Sequence, residues 1–599
     1  MKQQILSRIA ALRELMTREH MAAFIIPDSD AHNSEYVADH WKSREWLSGF
    51  DGSAGTVVVT MEQAALWTDS RYFIAAEEQL QGTGIALMKQ KVAGTPTIPE
   101  WLGRQLAESS SKEVGIDGRV SSAAVVDELV DELRRQGGLT LRTNLDPMKN
   151  LWTDRPSIPQ NTITLQPLAL AGEATADKLE RIRWALREQH CDGMLMSALD
   201  DIAWTLNLRG TDVHCNPVFV AYLVIEPEKT TLFVHPRKVT GAVADYLKAQ
   251  NIAVKPYEEV ADYLRRDYFG YNILMDENET SSFFMGCMKE NRATVVRRPS
   301  PVPSMKAVKN EAEIAGFRRA MERDGVAMVK FLRWLKPAVE AGGQTEMTVG
   351  EKLLALRKEQ PLFKDISFDT IAGYEAHGAI VHYEATPATD AALEPHGLIL
   401  IDSGAQYQDG TTDITRTVAL GPVTDEQRHV YTLVLKGHIQ LELAKFPDGA
   451  SGTQIDAFAR GPLWQEGLNY LHGTGHGVGA YLNVHEGPHQ IRMEYKPAPL
   501  RAGMTVTDEP GLYLAGRFGV RIENTLLIKP YKETAFGRFL QMESLTLCPI
   551  DTAPIDRSLL TSEEITWLND YHQSVFDRLS PLLDEPERAW LAEATRPIG

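Results

Sequence analysis

Apolar residues open the chain at helical spacing. Ile5, Ile9, Leu12 and Met16 recur three to four positions apart with charges between them, which predicts an amphipathic helix. Short apolar runs at 22–27 and 56–60 follow and read as strands, with Gly52-Ser53-Ala54-Gly55 as a turn before the second. The polar, proline-containing stretch 152–159 interrupts the pattern. A charged helix at 176–189, an apolar strand at 193–196 and a turn with an aromatic strand come next. The same order of elements in both stretches predicts a repeat of fold rather than of sequence. The breaker cluster Pro299-Ser300-Pro301-Val302-Pro303-Ser304 suits a linker. Beyond it a long helical pattern covers 311–335, and helices then alternate with β-rich segments to about residue 550. The tail, 551–599, holds ten acidic and four basic residues and has helical periodicity at Trp567, Leu568, Tyr571 and Phe576, the pattern of a C-terminal helical cap. The expectation is an α/β (α+β) chain of three domains: 1–155, 156–305, and 306–599 including the cap.

Composition narrows the function classes. The chain has 599 residues, 43% hydrophobic and 24% charged, as globular proteins do. Acidic residues number 81 and basic residues 62, a formal charge of −19. Such a chain repels phosphate backbones and anionic lipid, so neither nucleic acid nor membrane is an expected partner. Cys191, Cys215, Cys287 and Cys548 show no C-x-x-C spacing and read as buried thiols of a reducing compartment. No leader pattern and no apolar run of ~18 residues is found, and a cytoplasmic location is the expectation.

Two motifs imitate chemistry they cannot perform. His485-Glu486-Gly487-Pro488-His489 spells H-E-x-x-H, but that zinc site needs both histidines on one face of a continuous helix. Gly487 and Pro488 oppose a helix there, so a loop or strand end is expected. Gly473-Thr474-Gly475-His476-Gly477-Val478-Gly479 resembles a dinucleotide loop but carries an imidazole at its centre. Glycines around a histidine suit a backbone that must bring the ring close to something.

A third set of residues carries more weight. The apolar run 398–401 ends in Asp402, Gln408-Asp409-Gly410 signals a hairpin, and the chain returns through Asp413 to Arg416. Asp402 and Asp413 are thus expected on adjacent strands. Residues 504–511 read as a strand ending at Glu509-Pro510-Gly511, and 518–524 as another, with Arg521 and Glu523 on one face of it. Singly these have ordinary readings: a turn cap or an Arg416 ion pair for the aspartates, a surface ladder for Arg521 and Glu523. Together, Asp402, Asp413, His476, Glu509 and Glu523 supply four carboxylates and one imidazole. Without cations the carboxylates would repel and raise one another's pKa values. Two divalent ions would balance their charge, and hard ligands without thiolate favour manganese, magnesium or cobalt. Two such ions ~3.5–4 Å apart can share a bridging hydroxide, a nucleophile at neutral pH.

The order Asp402, Asp413, His476, Glu509, Glu523 resembles the pita-bread metallopeptidase family. The words IDSGAQYQDGTTDITRT, YLHGTGHGVGAYLNVHEGP, VTDEPGLY and GVRIEN are closer to one branch, the three-domain, cytosolic-type aminopeptidases P. WLSGFDGSAGT, WTDSRYF and DDIAWTLNLRGTDVHCNPVF are similar to that branch's two creatinase-like N-terminal domains, and KAVKNEAEI to the entry of its catalytic one.

The resemblance implies two divalent ions, most often Mn2+, with Co2+, Mg2+ or Zn2+ as alternatives. Asp402 and Asp413 would hold one, His476 and Glu509 the other, with Asp413 and Glu523 bridging. It implies that His382 meets the substrate, that His485 stabilises the tetrahedral intermediate, and that His472 lines the proline-side pocket. Arg71 matches a substrate-contacting arginine that can reach the partner's site in a homodimer, and Arg521 would orient the carboxylates. The implied reaction is hydrolysis, by the metal-bridged hydroxide, of the bond between an N-terminal residue and a following proline in short peptides. Glu509 would carry the proton. A prolidase-like dipeptidase and a non-catalytic pita-bread peptide-binding module are the alternatives.

Overall fold

The computed structural model describes residues 2–267, 270–290 and 293–599. They form two compact units, Met1–Gln166 with Glu173–Val302, and Pro167–Gly172 with Pro303–Gly599. Among the described residues no helix is long and apolar enough to cross a membrane. The four cysteines are buried, and no disulfide joins them.

The first unit contains two six-stranded sheets of one topology. In the first, the strands run Ile85–Lys89, Ala64–Thr68, Thr56–Thr60, Ala23–Pro27, Glu113–Ile116, Thr140–Arg142. In the second they run Ile252–Lys255, Thr230–Val234, Ala221–Ile225, Gly193–Met196, Asn272–Met275, Thr294–Arg297. In each, the strand after the leading helix sits inside the sheet, antiparallel to one neighbour and parallel to the other: Ile25 faces Val58 and Ile116, as Met194 faces Ile225 and Leu274. These inner strands are apolar throughout because both faces are covered. The repeat of fold expected from element order is therefore present.

The second unit is built on two long helices and several short antiparallel sheets. Helix Glu311–Ala341 starts at a capping box between Asn310 and Glu313, and helix Asp425–Leu443 at one between Thr424 and Gln427. One sheet orders the strands Lys445–Pro447, Gly537–Ser544, Asn524–Thr534, Thr505–Asp508; another orders Ile371–Tyr374, Leu398–Ser403, Ile414–Ala419. The tail forms helices Ser562–Leu579 and Glu585–Ala594, whose Leu568, Val575, Leu579 and Leu591 join the core with Val434 and Ile439.

One expectation needs correction. Arg521 and Glu523 do not share a strand. Strand Phe518–Arg521 pairs with Gly511–Leu514, whereas strand Asn524–Thr534 pairs with Thr505–Asp508. Between the two pairings stand Glu509 and Pro510 on one side, Ile522 and Glu523 on the other. Pro510 has no N–H to offer, so the ladder cannot run through. The Glu523 N–H instead donates to the Thr415 carbonyl at 3.1 Å. Both glutamates thus leave the ladder at one break.

Candidate metal centre

Asp402 lies in strand Leu398–Ser403 opposite Thr415, and Asp413 immediately precedes strand Ile414–Ala419. The hairpin turn between them closes at Tyr407 and Gly410. The adjacent-strand reading of the two aspartates holds. His476 sits in the three-residue strand Gly475–Gly477. Its glycine flanks have a steric cause: a Cβ on Gly475 would lie 1.9 Å from the Thr507 carbonyl oxygen, and one on Gly477 would lie 2.5 Å from that of Glu486. Only glycine lets this strand press against its neighbours. His485 precedes strand Glu486–Ile491, so the H-E-x-x-H segment is not helical.

The five side chains converge. His476 Nε2 is 3.4 Å from Asp413 Oδ2 and 3.5 Å from Glu509 Oε1. One donor atom each of Asp413, His476 and Glu523 lies within 4.8 Å of the others. Thr415 Oγ1 donates to Glu523 Oε2 at 2.8 Å, and Thr507 Oγ1 to Glu509 Oε1 at 3.2 Å. Arg521 donates to Asp402 Oδ2 from Nη2 at 2.7 Å and from Nε at 3.2 Å. The other Asp402 oxygen, Oδ1, is buried with no hydrogen-bond partner.

The electrostatics show what this set lacks. Burial, with Asp413, Glu509 and Asp402 close by, drives the Glu523 carboxyl well above its ordinary range. Burial and Asp413 push Glu509 up to about 7, against the pull of His476. Asp402 is raised by burial even with Arg521 beside it. Burial disfavours a charged His476, yet Asp413 and Glu509 lift it to about 9. The Gly477 carbonyl, which only accepts, takes the Nδ1–H at 2.9 Å, so Nε2 is the nitrogen turned to the carboxylates. An orphaned carboxylate oxygen, an imidazole drawn toward its charged form by its carboxylate neighbours and mutually raised acids describe a site short of positive charge. A pair of divalent cations fits this donor set.

The surrounding histidines are placed unequally. The rings of His476 and His485 meet edge to face with centroids 4.4 Å apart. His472 Nδ1 donates to the Gly473 carbonyl, so Nε2 accepts from Tyr513 Oη at 2.8 Å. Tyr513 Oη in turn receives Arg521 Nη1 at 2.7 Å. Tyr513 was not singled out in the sequence; it occupies the tyrosine of the VTDEPGLY run. His382 is half-buried, and the neighbouring Val381 carbonyl accepts from Arg521 Nη2 at 3.3 Å. Arg71 belongs to the first unit, where its Nε and Nη2 grip the Asp69 carboxylate at 2.9 and 2.8 Å.

A β-rich unit that gathers four carboxylates and an imidazole around a deficit of positive charge defines a metal-dependent hydrolase. Residues 315–530 match metallopeptidase family M24 and residues 538–598 the C-terminal region of that family. Residues 8–142 and 154–313 each match the creatinase/prolidase N-terminal domain. Xaa-Pro aminopeptidase 1 of Dictyostelium discoideum is 40% identical over 621 positions, covering 100% of this chain and 97% of that one. Aminopeptidase P2 of Arabidopsis thaliana is 40% identical over 632 positions, covering 99% and 88%. The crystal structure of X-prolyl aminopeptidase from Caenorhabditis elegans, described as a cytosolic enzyme with a di-nuclear active site, superposes with a TM-score of 0.94 at 35% identity over 99% of this chain and 100% of that one. The chain belongs to metallopeptidase family M24, in its Xaa-Pro aminopeptidase branch.

Proposed function

We propose that the protein removes the N-terminal residue from peptides with proline at position two. The observation that carries this is the convergence of Asp402, Asp413, His476, Glu509 and Glu523 in a chain related over its full length to Xaa-Pro aminopeptidases. In this reading Asp402, Asp413, His476, Glu509 and Glu523 would hold two divalent ions, Asp402 and Asp413 on one side, His476 and Glu509 on the other, with Asp413 and Glu523 shared. We take the pair to be Mn2+, the protein to be a cytoplasmic homodimer, and the domains to divide after residues 155 and 305. When bound, the metals supply Lewis acidity and water activation at neutral pH.

The chain's own groups do the rest. Glu509 takes a proton from the attacking water and delivers it to the proline nitrogen, which must be protonated to leave. His485 donates to the carbonyl oxygen as negative charge grows on it. His382 contacts the peptide, and His472, held by Tyr513, borders the proline side. Arg521 fixes the Asp402 carboxylate through two donors and holds the Val381 backbone beside His382. A Xaa-Pro bond lacks the N–H that strand-binding peptidases use, which is why a dedicated pocket is required.

The test is cleavage of a Xaa-Pro tripeptide and a Xaa-Pro dipeptide by the purified protein, before and after chelation. Tripeptide cleavage abolished by chelation and restored by Mn2+ is expected, together with a fall and recovery of thermal stability. Full activity in metal-free protein refutes the mechanism, and cleavage of dipeptide alone makes the enzyme a prolidase.

A further inference from the structure

Behind the strands that lead to Glu509 and Glu523 lies a second cluster of ionisable side chains that the reaction does not use. His438 and Glu442 stand one turn apart on helix Asp425–Leu443, and Asp508 ends strand Thr505–Asp508. All three are buried. One donor atom of each lies within 4.8 Å of the others, a spacing compatible with a bound ion. The ring geometry points elsewhere. His438 Nδ1 is hydrogen-bonded to the Asp508 backbone carbonyl at 3.3 Å and lies 3.2 Å from Asp508 Oδ2, while Nε2 faces Glu442 Oε1 at 3.4 Å. The two nitrogens look out from different edges of the imidazole, so a single ion cannot occupy both contacts. The ring stands between Asp508 and Glu442, bonded to the backbone carbonyl of the first and facing the carboxylate of the second.

This bridge ties three strands to one turn of helix. Glu442 Oε1 accepts from Asn524 Nδ2 at 2.9 Å and from Ser544 Oγ at 2.7 Å. Asn524 opens strand Asn524–Thr534, Ser544 closes strand Gly537–Ser544, and Asp508 faces Asn524 in register. Glu509 is the residue after Asp508, and Glu523 the residue before Asn524. Each glutamate is therefore one residue from a tethered position, just where the ladder stops at Pro510 and ceases to fix their separation.

We propose that His438 is a positioning residue for the metal centre: by bridging Asp508 to Glu442 it sets the spacing of Glu509 and Glu523 from behind. The proposal rests on the metallopeptidase reading above. Both Asp508 carboxylate oxygens and His438 Nε2 are buried without a hydrogen-bond partner. Removing the ring would leave two buried carboxylates facing a gap, at a cost relieved only by strand movement.

The side-chain geometry supplies a discriminating pair of variants. Asparagine places its amide where Nδ1 stands and keeps the arm to Asp508. Glutamine places its amide where Nε2 stands and keeps only the arm to Glu442. Mn2+ titration calorimetry on the full-length, metal-stripped protein, with metal analysis and tripeptide kinetics, reads the difference. His438→Gln should weaken Mn2+ binding by about 10–100-fold, the range for residues that orient metal ligands. Its kcat should fall with little change in KM. His438→Asn should bind Mn2+ nearly as wild type does. A purely structural histidine would lower the stability of both variants and leave the Mn2+ affinity of the folded protein unchanged; that outcome overturns the proposal. Should His438→Gln fail to fold, Ser544→Ala removes a donor to Glu442 and carries the same expectation of weaker Mn2+ binding. A third metal equivalent in wild type that disappears in Glu442→Gln also overturns the proposal and makes the cluster an ion site. If wild type neither binds Mn2+ nor cleaves the tripeptide, the metallopeptidase reading itself has failed, a result distinct from equal affinities in wild type and variant.

Discussion

At the scale of single residues, neighbouring histidines differ by what their ring nitrogens touch. His476 gives its Nδ1–H to Gly477 and turns Nε2 to Asp413 and Glu509, the orientation a metal ligand needs. His485 meets His476 edge to face, which sets its imidazole beside the candidate ligands. His485→Ala should therefore keep both metals and lose ~10²–10³ in kcat, the size of one missing oxyanion donor. Asp413→Ala or Glu523→Ala should lose the metal pair. Metal analysis beside steady-state kinetics separates the cases; a metal-poor His485→Ala protein would move His485 among the ligands.

Elements act on the site from a distance. The segment 375–391, which carries His382, is pinned by one carboxylate. The buried Glu346 accepts from Tyr374 N–H at 2.8 Å, His377 Nδ1 at 2.9 Å, Tyr383 Oη at 2.8 Å and Ala391 N–H at 3.0 Å. Glu346→Gln replaces an acceptor with a donor and leaves at least one of these groups unsatisfied, a loss of ~1–3 kcal/mol for a buried partner. Faster hydrogen exchange confined to 374–391 and a raised KM are expected; unchanged exchange there would show that the segment is held by other means. The C-terminal helices should respond to pH. Burial, with Arg416 nearby, pushes the buried His572 down to about 4, and its Nε2 accepts from the Ile550 N–H at 3.0 Å. The unfolded ring titrates near its ordinary 6.5, so between that value and 4 the unfolded chain binds more protons. His572 thus contributes stability above pH 6.5 that is lost as the pH falls. Between pH 7 and 5 the loss is about 2 kcal/mol. Proteolysis of the tail should accelerate over that interval, and His572→Gln, which keeps an acceptor but cannot titrate, should flatten the response.

For the whole molecule, the question is why ~300 residues precede the unit that holds Asp402, Asp413, His476, Glu509 and Glu523. Arg71 suggests a role in substrate placement, and its grip on Asp69 shows the competing one, a purely local ion pair. If the proposed homodimer shares its sites, Arg71→Ala should fold and bind metal yet show a raised KM. A mixture with Asp413→Ala should recover part of the activity after subunit exchange, because one site of a heterodimer is then intact. A verified heterodimer without recovery would return Arg71 to its own unit.

The sequence by itself determined much of this protein. The fold repeat of the first unit was legible because the order of a helix and an apolar strand survives when residue identity does not. The five candidate ligands were legible because acids at the ends of apolar strands and an imidazole among glycines are costly without a purpose. What the sequence could not determine depends on partners far along the chain. A continuous strand through Arg521 and Glu523 was the natural reading of alternating residues, yet Pro510, on the opposite strand, ends that ladder. Tyr513 acquires meaning only from Arg521 and His472 around its hydroxyl. Glu346, His438 and Glu442 look in the sequence like ordinary polar residues of helices. Only tertiary packing buries them against loop and strand ends, where an unshared charge would be expensive and each must hold something in place.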